Sequence, residues 1–183
     1  MRSSLLIASA AILTGSAVVM QPLPDDGVSR AVAEVERLND LRESLAQKFA
    51  ASPAATRERF EEVCQPVGVE AQRVATQTGW KVRQLAVKYR NPVNRADREA
   101  EHFQHLLEAD TTVKGMWIRT QMDGQPGTRY FRSIVVRQTC MPCHGTRDNR
   151  PDFIKESYTL DRAYNFEVGD LRGVFSVFVP DPR

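Results

Sequence analysis

The sequence feature that most constrains this chain is the segment Cys140-Met-Pro-Cys143-His144. Cys-x-x-Cys-His is the attachment sequence of c-type haem, in which both sulfurs form thioethers with the porphyrin and the adjacent histidine binds the iron. Three cysteines and three histidines in 183 residues would produce this pattern by chance only about one time in a thousand. We therefore expect one covalently attached haem c, held by Cys140 and Cys143, with His144 bound to its iron.

Three other interpretations of the same segment stay open. A thioredoxin-like Cys-x-x-Cys acts through exposed thiols and needs a βαβ pattern around it, whereas antiparallel strand patterns precede this motif. A zinc site needs four ligands, usually in spaced pairs, but Cys143 and His144 are adjacent. A structural disulfide between Cys140 and Cys143 suits an exported protein but gives His144 no role. Haem attachment is the interpretation that uses all three residues.

The N-terminus has the order of a secretory signal peptide. Arg2 precedes an apolar run at residues 5–13, and Gly15-Ser16-Ala17 provides a small-residue cleavage site. Apolar residues resume at 18–20, so an uncleaved anchor is the alternative, although it is short for a membrane span of about 20 residues. Because bacteria attach haem c outside the cytoplasm, the motif and the N-terminus both predict a periplasmic location.

Length and charge narrow the possible function classes. A chain of 183 residues, 42% of them hydrophobic, fits one globular domain with a core of its own. Its formal charge of +2, without a long Lys/Arg run, gives no concentrated positive field, so we expect no nucleic-acid partner. The expected organisation is a signal peptide at 1–17, a linker at 18–28 and one domain at 29–183.

The spacing of apolar residues predicts helices followed by antiparallel strands. Helices are expected at 29 to about 49, at 56 towards 79 with a kink or boundary near Pro66, and at 97 to about 108. Strands are expected at 80–89, 113–121, 130–136 and 173–179, with residues 123–127 forming a longer hairpin loop. This order predicts an α+β domain.

Cys64 is the cysteine that haem attachment would not use. An odd thiol in an exported protein is reactive, paired between chains or bound to a metal, and thiolate is a good ligand for iron. A buried and inert thiol is the alternative, since free cysteine is among the most buried residue types. The residues alone leave both interpretations open.

Several segments share their order and spacing with a known family; they are Val63-Cys64 in a helix and residues 79–83, 90–94, 140–145, 158–161 and 168–174. From about residue 57 to 180, the chain resembles the exported c-type haem domains with a PAS-like fold, which occur alone or as sensory regions of bacterial signalling proteins. The resemblance implies a PAS-like antiparallel sheet with N-terminal and flanking helices, one haem c, and iron bound by His144 and Cys64. The chain departs from the family at Asn165-Phe166, where members often carry Gly-Tyr.

Other side chains compete with Cys64 for the second axial position on the iron. His102 and His105 flank the apolar face of the third predicted helix, and imidazole is a common haem ligand. Met116 and Met122 lie near the predicted hairpin, and methionine ligates iron in cytochromes. Each of these side chains also has an alternative role without iron. The histidines could lie in solvent, and the methionines could pack in the core or lie in a loop.

Arginines around the predicted turn at Asn91-Pro92 are candidates for binding the haem propionates, because guanidinium pairs well with carboxylate. They are Arg90, Arg95 and Arg98, and a solvated basic turn is the alternative. We expect Arg90 to contribute to haem binding.

Iron held by both His144 and Cys64 has no open position, which argues against an enzyme that activates oxygen. We therefore expect a non-enzymatic redox carrier, or a redox-responsive module, that acts on a separate redox or signalling protein. The alternative is a gas- or redox-sensing input subunit in which Cys64 leaves the iron and the change is passed to a signalling partner. Membrane association is expected only if the N-terminal segment stays uncleaved.

Overall fold

The computed structural model describes residues 27–50 and 56–182. The predicted signal peptide and nearly all of the predicted linker lie outside the described residues. Along the described chain the elements are α1 (Val28–Ala50), α2 (Arg57–Val63), α3 (Gln65–Thr78), β1 (Lys81–Leu85), α4 (Arg98–Ala109), β2 (Gly115–Met122), β3 (Gln125–Val135), α5 (Met141–His144), α6 (Asp152–Ser157) and β4 (Leu171–Pro180), with short 3-10 turns at Pro92–Asn94 and Gln138–Cys140. None of these helices is long and apolar enough to cross a membrane.

The four strands form one antiparallel sheet in the order β1-β4-β3-β2. The last strand of the chain therefore lies inside the sheet, between the first strand and the hairpin of β2 and β3. Residues 173–179 of β4 are all buried, which means that other elements cover both faces of this strand. A strand covered on both faces has a nearly continuous apolar sequence instead of an alternating one, as β4 does.

Helices cover the two faces of the sheet. On one face, α1 and α3 pack against a core that includes Phe175. On the other face, α4 packs beside Val174, and its Phe103 stacks on Phe131 with 4.7 Å between ring centroids. Neighbouring strand residues point to opposite faces, so Val174 and Phe175 enter different cores. The arrangement confirms the predicted α+β fold, with a PAS-like antiparallel sheet and N-terminal and flanking helices.

The helix predictions hold, and the interruption expected near Pro66 is a boundary between two helices. The predicted first and third helices match α1 and α4, and α4 begins where Asp97 Oδ1 accepts a hydrogen bond from the Ala100 backbone N–H at 2.9 Å. The second predicted helix is two helices, α2 and α3, which meet at Cys64. Pro66 lies in the first turn of α3, where its fixed φ and missing N–H are tolerated, and the chain therefore breaks just before it.

Two strand predictions are wrong in their boundaries. β1 ends at Leu85 instead of residue 89, because the next residue, Ala86, exchanges backbone hydrogen bonds of 3.0 Å with Asn94 and Ala96. The β2–β3 hairpin turns at Asp123-Gly124 alone, with φ of 50° and 77°, instead of through a loop at 123–127. Residues 125–127 extend β3, since they pair with the end of β2.

Candidate functional site

All five predicted site residues meet at one cavity, although Cys64 and Arg90 are far from the attachment segment in the sequence. Cys64, Cys140, Cys143 and His144 all line a cavity of about 310 Å³, and all three thiols are free. The walls come from α1, the junction of α2 and α3, the ends of β1 and β3, the start of β4 and the attachment segment. The fold thus brings the leftover cysteine to the Cys-x-x-Cys-His motif.

The attachment segment is one tight helical turn, a 3-10 turn at Gln138–Cys140 that continues into α5. Helix positions three and four apart lie on the same face, which lets Cys140, Cys143 and His144 project together into the cavity. Met141 packs with a separate small core formed by Val136, Ala163 and Phe166. This packing fixes the turn to the rest of the domain.

The His144 imidazole is oriented by a backbone carbonyl. Its Nδ1 lies 2.8 Å from the Ala163 oxygen, so we assign the proton to Nδ1, which leaves the Nε2 lone pair available. Burial, followed by the positive charges of Arg172 and Arg90, lowers the pKa of His144 well below its usual value. A neutral imidazole with one nitrogen anchored in this way is the form that binds a metal.

Cys64 lies in the break between α2 and α3, where its side chain makes no capping hydrogen bond. The residue is exposed overall, yet desolvation by the cavity walls, followed by the proximity of Cys143, raises the pKa of its thiol to about 11. Such a thiol is protonated at neutral pH, and coordination to a metal would deprotonate it. Cys64 is therefore available as a soft ligand.

The other candidates for the second axial position do not line this cavity. His102 and His105 are exposed on α4. Met116 packs beside the core between α4 and the sheet, and Met122 is the last residue of β2. Of the five side chains considered from the sequence, Cys64 is the one that shares the cavity with His144.

Three arginines line the cavity beside the thiols, namely Arg42, Arg90 and Arg172. Arg90 Nη2 donates to the Cys143 carbonyl at 2.6 Å, and Arg42 Nη2 donates to Asn39 Oδ1 at 3.1 Å. In the described part of the chain, the Nε atoms of Arg42 and Arg90 are buried and find no hydrogen-bond acceptor. Burial and the Arg90 charge lower the pKa of Arg172 to about 10. Arg42 also pairs with Glu43 at 3.1 Å, and Arg90 with Asp161 at 3.6 Å, but a buried Nε without a hydrogen-bond acceptor can still donate to an anionic ligand.

The sequence profile of the Tll0287-like family matches residues 23–180. This chain belongs to the Tll0287-like family. It is similar to the cyanobacterial heme-protein Tll0287, whose structure has been solved, with 36% sequence identity and a TM-score of 0.75. That match covers 88% of this chain and 99% of the other. No curated protein matches the chain significantly. These matches confirm the family resemblance found in the sequence.

The arginines that line the cavity of this Tll0287-like chain are only in part the ones that the sequence suggested for binding the propionates. Arg90 lines the cavity, whereas Arg95 and Arg98 do not. Arg42 and Arg172 were missed. A signal for Arg42 was present, because it falls on the buried stripe of α1 that also carries Val35, Leu38 and Ala46. Arg172 had no such signal beyond its place in a segment shared with the family.

The cavity of the Tll0287-like chain suits a ligand that has both apolar surface and anionic groups. Apolar walls come from Val67, Leu85 and Ile134, and the three arginines supply positive charge. The described residues contain no group of three or more His, Cys, Asp or Glu side chains able to hold a bare metal ion. Two protein ligands are sufficient for a metal that brings its own equatorial donors.

Proposed function

We propose that this protein is a monohaem c-type haem protein, in which Cys140 and Cys143 attach the porphyrin and His144 and Cys64 ligate the iron. The observation that carries this proposal is the placement of all four side chains around one cavity. The similarity to the cyanobacterial heme-protein Tll0287 supports the same cofactor here. Thioethers from two cysteines and ligation by the following histidine are the known chemistry of the Cys-x-x-Cys-His motif.

The cavity residues fit the chemistry of haem. Arg42 and Arg90, whose buried Nε atoms have no acceptor among the described residues, would pair with the two propionates. Arg172, whose lowered pKa reflects burial beside another cation, would also be stabilised by added negative charge. For Arg42 and Arg90, which already pair with Glu43 and Asp161, each propionate would satisfy a buried Nε donor that is costly to leave without an acceptor.

Bound haem supplies a reversible one-electron change between ferric and ferrous iron. With His144 and Cys64 on the two axial positions, no position would remain for a substrate such as oxygen. Thiolate is anionic and stabilises the ferric state, so we infer a low reduction potential. The role that follows is a non-enzymatic redox carrier or redox-responsive module that acts on a separate protein.

Carbon monoxide binding tests this role. We expect the reduced protein to keep its spectrum under carbon monoxide, because Cys64 and His144 would both stay on the iron. Stopped-flow spectroscopy of the reduced protein measures this directly. Fast formation of a carbon monoxide complex would favour the alternative, a gas-sensing subunit in which Cys64 leaves the iron.

The proposed location is the periplasm, and it rests on the signal-peptide pattern of residues 1–17 and on the site of haem c attachment. We expect residues 1–30 to direct a reporter that functions only outside the cytoplasm. N-terminal sequencing of the mature protein should start near Val18. A mature protein that begins at Met1 and fractionates with membranes would show that the segment is an uncleaved anchor.

A further inference from the structure

We propose that Asp161 is a positioning residue for His144, one that fixes the imidazole and tunes the reduction potential of the iron. This inference rests on the proposed haem function of His144. Asp161 accepts hydrogen bonds from the Arg150 guanidinium and the Ala163 N–H, and it forms an ion pair with Arg90 next to the attachment segment. Its side chain is only 1% exposed.

The first branch from Asp161 runs through the backbone. Asp161 Oδ1 accepts a hydrogen bond from the Ala163 N–H at 2.8 Å. The Ala163 carbonyl in turn accepts the Nδ1–H of His144 at 2.8 Å. Asp161 therefore holds the residue whose carbonyl sets the tautomer and ring orientation of His144. An acceptor behind a ligating imidazole also makes the imidazole a stronger donor to the metal.

The second branch runs through Arg90. The Nε of Arg90 lies 3.6 Å from Asp161 Oδ2, so the two groups form an ion pair that is almost entirely buried. At its other end, Arg90 Nη2 donates to the Cys143 carbonyl at 2.6 Å and lies 3.4 Å from His144 Nδ1. Because the guanidinium is planar and rigid, its contact with Asp161 fixes its contact with the attachment segment.

Arg150 completes the arrangement. Its Nη1 donates to Asp161 Oδ2 at 2.5 Å, and its Nε donates to the Arg147 carbonyl at 2.8 Å. A carboxylate with this little exposure would be costly without such partners, and two arginines together compensate its charge. Asp161 thus supplies the negative charge that offsets Arg90 and Arg150 near His144, so removing this charge would favour ferrous over ferric iron.

The test is Asp161→Asn. The asparagine keeps an oxygen that can accept from the Ala163 N–H, but it replaces the carboxylate beside the two guanidiniums with an uncharged amide. We expect haem to remain attached, the midpoint potential to rise, and the ferric EPR g values to shift. Asp152→Asn is the matched control, because it removes one acidic charge from an 85% exposed side chain of α6. A purely structural role would lower the melting temperature but leave the potential and the g values at those of the control.

Arg150→Gln gives an independent test with the opposite sign, and it decides the matter if Asp161→Asn does not fold. It leaves the Asp161 charge less compensated, so the midpoint potential should fall. The proposal is wrong if Asp161→Asn matches the Asp152→Asn control in potential and g values, or if Arg150→Gln raises the potential. A parent protein without haem would instead overturn the proposed function, so the two failures are distinguishable.

Discussion

Replacing Cys140 and Cys143 together by alanine should remove all covalently bound haem from the protein. The two thiols are free in the structure and line the cavity that also holds His144, and no thioether can form without them. Haem staining of the denatured protein after electrophoresis, following expression with a haem c maturation system, measures the effect. Each single replacement should leave one thioether or lose the haem.

Cys64→Ser is the control for this experiment, because it also removes a thiol from the cavity but leaves both attachment positions intact. It should retain haem staining at the level of the parent protein. A double variant of Cys140 and Cys143 that still carries covalent haem would show that the attachment chemistry is not that of the motif.

Cys64→Ser should also change the reduction potential and the spectra of the iron, and this is the second large effect. The proposed thiolate ligand would stabilise the ferric state, so its loss should raise the midpoint potential by something on the order of 0.1 V, within the range of about 0.8 V that axial ligands span. The ferric optical and EPR spectra should lose their thiolate features. Spectroelectrochemistry of parent and variant, with the haem attached in both, measures the shift.

The matched control for the axial ligand is His105→Gln, which changes an exposed candidate ligand that does not line the cavity. Its spectra and potential should equal those of the parent. If Cys64→Ala has ferric optical and EPR spectra identical to the parent, Cys64 is not the ligand. The search would then turn to His102, His105 and Met116.

Local patterns in the sequence were sufficient to predict most of the fold. The apolar stripe of α1 and the Asp97 cap of α4 are set by residues within a few positions of each other, and the structure contains both helices. The tight turn at Asp123-Gly124 was also encoded locally, since Asp-Gly is a typical two-residue hairpin turn. The sequence predicted a longer loop because Pro126 and Gly127 follow the turn. In the structure both residues belong to β3, since they pair with the neighbouring strands.

The candidate site could be predicted only in part. Cys140, Cys143 and His144 form a local motif, and the count of cysteines singled out Cys64. The distance between Cys64 and the motif depends on how α2 and α3 pack on the sheet, which no local pattern specifies. Asp161 and Arg150 belong to different loops, so their contact behind His144 became visible only in the folded chain. A single sequence shows local patterns but does not show which distant residues come into contact.

Covalent haem in the mature parent protein is the central claim, and acid–acetone extraction followed by an alkaline pyridine spectrum tests it most directly. After expression with a maturation system, the denatured protein should keep its pigment through extraction and give the spectrum of a c-type haem. Colour that passes into the solvent, or a protein that carries no haem, would contradict the assignment of Cys140, Cys143 and His144 as a haem c site.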